Sequence, residues 1–274
     1  MSTAESVGAP AGWRPSPLVL VSIALHPIVL VLLAIAPHWW PALLLVIVSD
    51  HLVLIACGLL PRCGWLGPNL TRLPPAAAAR GEVALTIDDG PDPVVTPAVL
   101  DLLERRQAKA TFFCIGARAA MHPDLCREIV RRGHEIGNHS QHHRHIFSFM
   151  GPARMRRELL QAQDTLTAIT GRRPRFFRAP AGLRNPLLDP VLPGLGLTLA
   201  SWTRRGYDTR TGDPQLLLAR LARNLAAGDV LLLHDGNCSR TDVGAPVVLP
   251  ALEQLLELFE ARGLRPVTLT QAHQ

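Results

Sequence analysis

Polar and apolar positions divide the chain into two regimes. From Pro15 to Pro61 the sequence is apolar almost without interruption, and its only formal charge is Asp50. Beyond Arg80, short apolar runs alternate with amphipathic stretches. The first regime holds two runs, 17–36 and 41–60. Each is long enough to cross a bilayer core, which takes about 20 helical residues. HWW (38–40) lies between them, and such rings favour the membrane interface. The pattern predicts a transmembrane helical hairpin over 17–60, preceded by an N-terminal tail (1–16) and followed by a linker (61–80). Ala34-Ile35-Ala36 imitates a signal-peptide cleavage site. However, Pro37 follows it, the run is long for a signal peptide, and a second run comes next.

In the second regime, strand-like runs occur at EVALTI, ATFFCI, HEIGN, RFFRA, LTLASW, VLLLH and RPVTL. Helical patterns lie at 96–106, where Thr96 is a candidate cap, and at 122–132, 153–170, 214–227 and 250–263. Strands alternating with helices imply a parallel sheet, either an open doubly wound sheet or a closed barrel. In both, chemistry gathers at the C-terminal ends of the strands.

Composition narrows the function classes. Hydrophobic residues make up 48% and charged residues 18%, in keeping with a membrane segment. The net charge is +6, and Lys109 is the only lysine, so nearly all the base is Arg. Arg suits planar pairing with carboxylate or phosphate. No basic block is interleaved with aromatics, which argues against nucleic acid as a partner, and nothing points to an obligate protein partner. Five cysteines without a CxxC pair argue against a disulfide framework or a zinc knuckle. Arg14 precedes the first span and Arg62, Arg72 and Arg80 follow the second, while the turn has no Lys or Arg. Positive-inside reasoning then predicts a multi-pass protein of the inner (cytoplasmic) membrane with both ends, and the domain after the spans, in the cytoplasm. His26, Asp50 and His51 lie inside the spans and are either functional or a self-satisfied cluster.

Polar residues recur at the predicted strand ends: Asp88 and Asp89 in TIDDGPDP (86–93), His139, Arg178, Trp202, His234 and Asp235. Asp-Gly-Pro is a turn signal in its own right. His139 and His143 in NHSQHH (138–143) fall four apart and share a face if the segment makes a helical turn. Two imidazoles with the Asp89 carboxylate form a three-ligand set for zinc or a similar ion and leave a position for water. A solvated histidine cluster is the competing explanation, since His134, His142 and His145 are close in sequence.

In order, TIDDGPDP, HSQHH, RAPAG (178–182) and LLH (232–234) resemble the polysaccharide deacetylase family, also called the NodB-homology or carbohydrate esterase 4 domain. The resemblance covers about 81–270. It implies a deformed (β/α)7, TIM-like barrel and metal-dependent hydrolysis of an N-acyl or O-acyl group on a sugar. It assigns Asp88 as general base, and Asp89, His139 and His143 as metal ligands. Arg178 would orient Asp88, and Ser140 would steady the histidine loop. Leu232 would line the acyl pocket, Pro180 and Ala181 would contact substrate with the Ala181 N–H on the oxyanion, and His234 would be the general acid. The implied cofactor is a divalent ion, Zn²⁺ first, with Co²⁺, Ni²⁺ or Mn²⁺ as alternatives. The implied partner is an acylated amino-sugar glycan or a lipid-linked sugar. A glycan-binding pseudoenzyme is the alternative from another class.

The sequence departs from the family pattern at two places. Ala181 and Gly182 stand where the family often has an aromatic ring. SWTRRGYDT (201–209) replaces the family's D-x-x-D-W motif. There, Trp202 would give an apolar wall or simply pack in the core, and Asp208 would tune His234 or simply occupy a turn. Asp92 and Asp213 read as turn or cap acids. Cys238, near the site, reads as a plain thiol, and Arg184, Arg204 and Arg205 as solvated or as contacts to an anionic substrate.

Overall fold

The computed structural model describes residues 13–274, so most of the expected tail, residues 1–12, lies outside the described residues. The two apolar runs form helices α1 (Pro17–Ile35) and α2 (Trp40–Leu59), joined by a 3-10 turn at Pro37–Trp39. Both are long and apolar enough to cross a membrane. Their outer faces are exposed and apolar, as at Leu20, Leu30, Leu45 and Ile55. Their polar residues meet at the seam between the helices. Ser22 Oγ donates to Asp50 Oδ2 at 2.7 Å, and the His26 and His51 rings stand edge-on at 5.3 Å.

After a short helix α3 (Pro75–Ala79) comes β1 (Glu82–Asp88), the fully buried centre of a parallel sheet. Its seven residues span helices α4 (Val95–Arg105) and, later in the chain, α9 (Val248–Ala261) on one face and the interior on the other. β2 (Thr111–Cys114) and β8 (Arg265–Val267) share one edge of β1, and β7 (Val230–His234) takes the other. The sheet continues outward through β3 (Glu135–Asn138), β4 (Phe176–Phe177) and β5 (Thr198–Leu199) on one side, and through β6 (Arg204–Arg205) beyond β7. Helices α5 (Gly116–Met121), α6 (Pro123–Arg131), α7 (Pro152–Thr170) and α8 (Pro214–Ala222) complete the outer layer. The result is the parallel sheet expected from the alternation, in the deformed, barrel-like form that the family resemblance implies, with one added strand, β6, whose Arg-Arg sequence carries no apolar signal.

Side-chain parity sets what faces inward, because successive strand residues alternate faces. Val83, Leu85 and Ile87 of β1 pack against the helices, whereas Ala84 joins an interior cluster with Phe113, Trp202, Val230 and Leu232. Thr86 and Asp88 share the parity of Ala84. On β7, Leu231 and Leu233 face the helices, and Val230, Leu232 and, by parity, His234 face inward.

Three local expectations change. The segment 61–80, expected as a linker, is part of the barrel wall: Leu70 pairs with Ala200 beside β5, and Arg72 with Asp229 before β7. Thr96 does not cap α4. Asp92 Oδ1 accepts the N–H groups of Val94 and Val95, while the Thr96 hydroxyl accepts from Asp92 N and donates to Asp235 Oδ2 at 2.5 Å. The helix expected over 214–227 stops at Ala222, since Asn224 adopts φ 53° and Gly228 φ 85°.

The end of the hairpin is docked on the barrel beside the C-terminal ends of β4 and β5. Arg184 N donates to Gly58 O, Arg184 Nη2 to Cys63 O, and Ser201 Oγ to Pro61 O at 2.7 Å. Val19, Cys57 and Leu66 form a small apolar cluster there. The end of α2 therefore lies against the loop after β4.

Candidate metal centre and active site

The site begins where β1 ends. Asp88 points inward, and the chain reverses at Asp89, whose φ is 72°. Gly90 lies against the Asp235 carboxylate, and a Cβ there would come within 2.3 Å of it. Turn and site are thus the same residues. The turn lets two adjacent carboxylates face different partners.

Asp88 Oδ1 accepts from Arg178 Nη1 at 2.6 Å. Arg178 is among the most buried side chains in the protein. It also donates to Thr86 Oγ1, Ala200 O and Ser201 O, and its guanidinium lies 4.1 Å over the Phe113 ring. A group held by this many contacts has one orientation, and it fixes Asp88 in turn.

Asp89 Oδ1 lies 3.2 Å from His139 Nε2 and 3.2 Å from His143 Nε2. It is buried and has no hydrogen-bond partner. Its sister Oδ2 accepts from Asn237 Nδ2. His139 Nδ1 donates to Arg178 O at 2.8 Å, which fixes the tautomer and leaves the Nε2 lone pair facing Asp89. The two imidazole rings are 4.7 Å apart. Burial first, and then the neighbouring His139, pull His143 down to about 4, so its ring is neutral at neutral pH. Burial works against the Asp89 charge, but the His139 ring beside it, with His143 and His234, holds its carboxyl well below the usual range. An orphaned buried carboxylate oxygen between two imidazole lone pairs fits a divalent cation.

The His139–His143 approach is not made by a helical turn, contrary to expectation. The segment is a tight loop in which Ser140 (φ 63°) and His143 (φ 49°) are left-handed. Ser140 Oγ accepts from His143 N, and Asn138 Oδ1 accepts from Ser140 N. Asn138 Nδ2 in turn donates to Leu159 O of α7. His142 turns away to Glu158.

Opposite Asp88, on β7, His234 Nδ1 and backbone N–H donate to the two oxygens of Asp208 at 2.8 and 2.6 Å. Burial opposes the charged imidazole, but Asp208, followed by Asp88 and Asp89, outweighs it and raises the His234 pKa. Leu232 and Trp202 lie together in the interior cluster. Pro180 is buried, and Ala181 is exposed with φ 56°. Gly182 touches the Trp202 ring closely enough that a Cβ would lie 2.4 Å from it.

Asp88, Asp89, His139, His143, Arg178 and His234 therefore gather at one end of the sheet, with Leu232 two residues further in on β7. Several contributors carried no sequence signal: Arg118, which donates to Asp89 O, together with Asn237 and Phe113. Thr86 was findable, as an inward polar residue two positions before Asp88. The remaining suspects are occupied elsewhere. Asp235 bonds Thr96, and burial raises it to about 7. Burial also pushes the Cys238 thiol up to about 11. Arg204 is paired with Asp229.

Residues 76–200 match the polysaccharide deacetylase family model. The chain is 33% identical over 191 residues to a peptidoglycan-N-acetylglucosamine deacetylase of Bacillus cereus, an alignment covering 69% of this chain and 86% of that protein. It is 34% identical over 211 residues to a chitooligosaccharide deacetylase of Sinorhizobium fredii, covering 74% and 97%. Among solved structures, a family 4 acetyl xylan esterase from Clostridium thermocellum in complex with a cobalt ion superposes with a TM-score of 0.62 at 30% identity, covering 70% of this chain and 89% of that one.

Proposed function

The chain belongs to the polysaccharide deacetylase family, as a hydrolase of carbon–nitrogen bonds other than peptide bonds, and from that premise we propose that it removes an N-acyl group, first of all N-acetyl, from an amino sugar of a membrane- or cell-wall-associated glycan or its lipid-linked precursor. The observation that carries this reading is the bare Asp89 Oδ1 between two imidazole Nε2 atoms, beside a carboxylate fixed by a buried Arg.

Asp89, His139 and His143 would hold the cation, Zn²⁺ or else Co²⁺, Ni²⁺ or Mn²⁺. When bound, it supplies an acidified water and positive charge for the developing oxyanion. Asp88 accepts the water's proton, and Arg178 keeps its free oxygen aimed into the site. His234, protonated and anchored through Nδ1 by Asp208, gives its Nε2 proton to the departing amine. Leu232 and Trp202 form the apolar wall for the acyl group, Pro180 shapes the rim, and the Ala181 N–H is the oxyanion donor.

The test is acetate release by the purified full chain in detergent. Release from an N-acetylated chitooligosaccharide should vanish with chelator and return with Zn²⁺. The cobalt-bound esterase likeness favours one second reading, O-acyl ester hydrolysis on the same residues. Release from acetylated xylan and from no amide would establish it. Bound metal without release from any substrate would favour a glycan-binding module.

The hairpin is proposed to embed the protein in the inner membrane with the domain on the cytoplasmic side, supported by the exposed apolar faces of α1 and α2 and by Arg14, Arg62, Arg72 and Arg80. Polymeric wall glycan is then out of reach, and lipid- or nucleotide-linked sugars become the substrates. A fluorescent protein fused after Gln274 should glow, and an alkaline phosphatase fused there should stay inactive. The reverse pair of results would place the domain outside.

A further inference from the structure

Beside Trp202 is a cavity of about 280 Å³. Its lining includes Arg62, Arg204, Arg205, Arg220 and Tyr207, and no carboxylate. Arg204 is already paired with Asp229 and with two backbone carbonyls. The other three are not neutralised: among the described residues, no carboxylate lies within ion-pair distance of Arg62, Arg205 or Arg220. A guanidinium carries five N–H donors. Arg62 uses one on Thr203 O, Arg220 uses one on Gly206 O, and Arg205 makes no side-chain hydrogen bond. Arg205 Nε is buried without a partner, which is costly unless an acceptor arrives.

The pocket is also organised. Arg205 stacks on Trp202 at 5.3 Å and on Tyr207 at 5.0 Å, and Arg220 takes the same Tyr207 ring at 5.5 Å. Tyr207 is held at φ 64°, a conformation bulky side chains avoid. Three like charges gathered around one small volume repel one another, and a bound anion relieves that repulsion. Fork-shaped donors select phosphate or carboxylate.

Location narrows the ligand. Arg205 is in register with Leu232, two residues before His234, so the pocket adjoins the candidate acyl wall. Arg62 follows α2 by three residues, where the chain leaves its apolar span. The pocket therefore lies beside the end of the apolar span, and Trp202, which lines it, also packs in the interior cluster with Leu232. The cavity is too small for a sugar chain and suits a single headgroup.

We propose that the Arg62–Arg205–Arg220 pocket is a subsite for the phosphate of an acylated amino-sugar phosphate presented from the membrane on a lipid carrier. This rests on the sugar-deacylase reading and names its substrate class.

The experiment uses the full chain in nanodiscs. Acetate release is measured from polyprenyl-phosphate-linked N-acetylglucosamine, from N-acetylglucosamine 1-phosphate and from uncharged chitotetraose. The wild type should favour the lipid-linked sugar. In Arg205→Gln/Arg220→Gln, the ratio of kcat/KM for phosphorylated over uncharged sugar should fall about tenfold or more, as for loss of charge-assisted hydrogen bonds. Arg205→Lys should restore only part of it. An unchanged ratio overturns the subsite, because the arginines then merely support Trp202. A soluble sugar phosphate used as well as the lipid-linked one overturns membrane presentation. Calorimetry on Asp88→Asn separates this idea from its premise. If no sugar is deacetylated by the wild type, yet sugar phosphate binds Asp88→Asn and Arg205→Gln abolishes that binding, the subsite stands and the deacylase reading falls. Inorganic phosphate binding as tightly as the sugar phosphate would overturn the subsite as a substrate site.

Discussion

Asp88→Asn is expected to lower kcat for an N-acetylated chitooligosaccharide by about 10³-fold, within the range of lost general-base catalysis, while the protein keeps its full metal content. The asparagine amide oxygen can still accept from Arg178 Nη1, as Asp88 Oδ1 does at 2.6 Å, so the local geometry survives. What disappears is the second oxygen, 3.8 Å from His139 Nε2, which is aimed at the site and is basic. Alanine would be the wrong substitution. It would strand a buried guanidinium, and breaking a buried pair costs about 3–5 kcal/mol, so lost activity would be confused with lost fold. The companion variant Asp89→Asn should lose metal and activity together, because Oδ1 is the atom shared by both imidazoles. Elemental analysis beside acetate release checks both. If Asp88→Asn kept a tenth of wild-type activity, Asp88 would not be the base.

This contrast between neighbours shows what the sequence can and cannot convey. The alternation of apolar runs was enough to predict parallel strands, because buried strands and amphipathic helices leave different periods. The same parity explains why Thr86, Asp88, Leu232 and His234 all face inward. Short strands left weaker marks. β4, β5 and β6 have two residues each, too few to show a period, and β6 is Arg-Arg. Loop geometry was less legible still. His139 and His143 meet through a left-handed loop tied by Ser140 and Asn138, which four-residue spacing alone mistakes for a helical turn. Long-range partners such as Arg118 and Asn237 depend on how loops pack, and no local pattern announces them. The segment 61–80 misled for the opposite reason: its Pro and Ala content suggests a spacer, but its backbone pairs with Ala200 beside β5 and with Asp229 just before β7.

Asp208→Asn is expected to move the alkaline limb of the kcat/KM profile to lower pH and to leave the acidic limb in place. The sign follows from the role of His234. The acid form donates the proton, so activity falls as pH rises through its pKa. Burial alone would lower that pKa, yet Asp208, and after it Asp88 and Asp89, raise it, so the acid form persists to higher pH. Neutralising Asp208 removes the largest opposing charge, and the acid form is then lost earlier. The geometry strengthens the effect. Asp208 accepts both His234 Nδ1–H and the His234 backbone N–H. An asparagine has one acceptor oxygen, and if the backbone keeps it, the amide NH₂ faces Nδ1. That contact disfavours the doubly protonated ring. On the alkaline side, the loss should approach the 10²-fold or so expected when general acid catalysis fails, with a smaller loss near pH 6. Both proteins carry the same metal ligands, so the displacement between their profiles reports Asp208. A uniform loss at every pH, with the alkaline limb unmoved, would mean that Asp208 only braces the loop and that the proton reaches the leaving amine from another group.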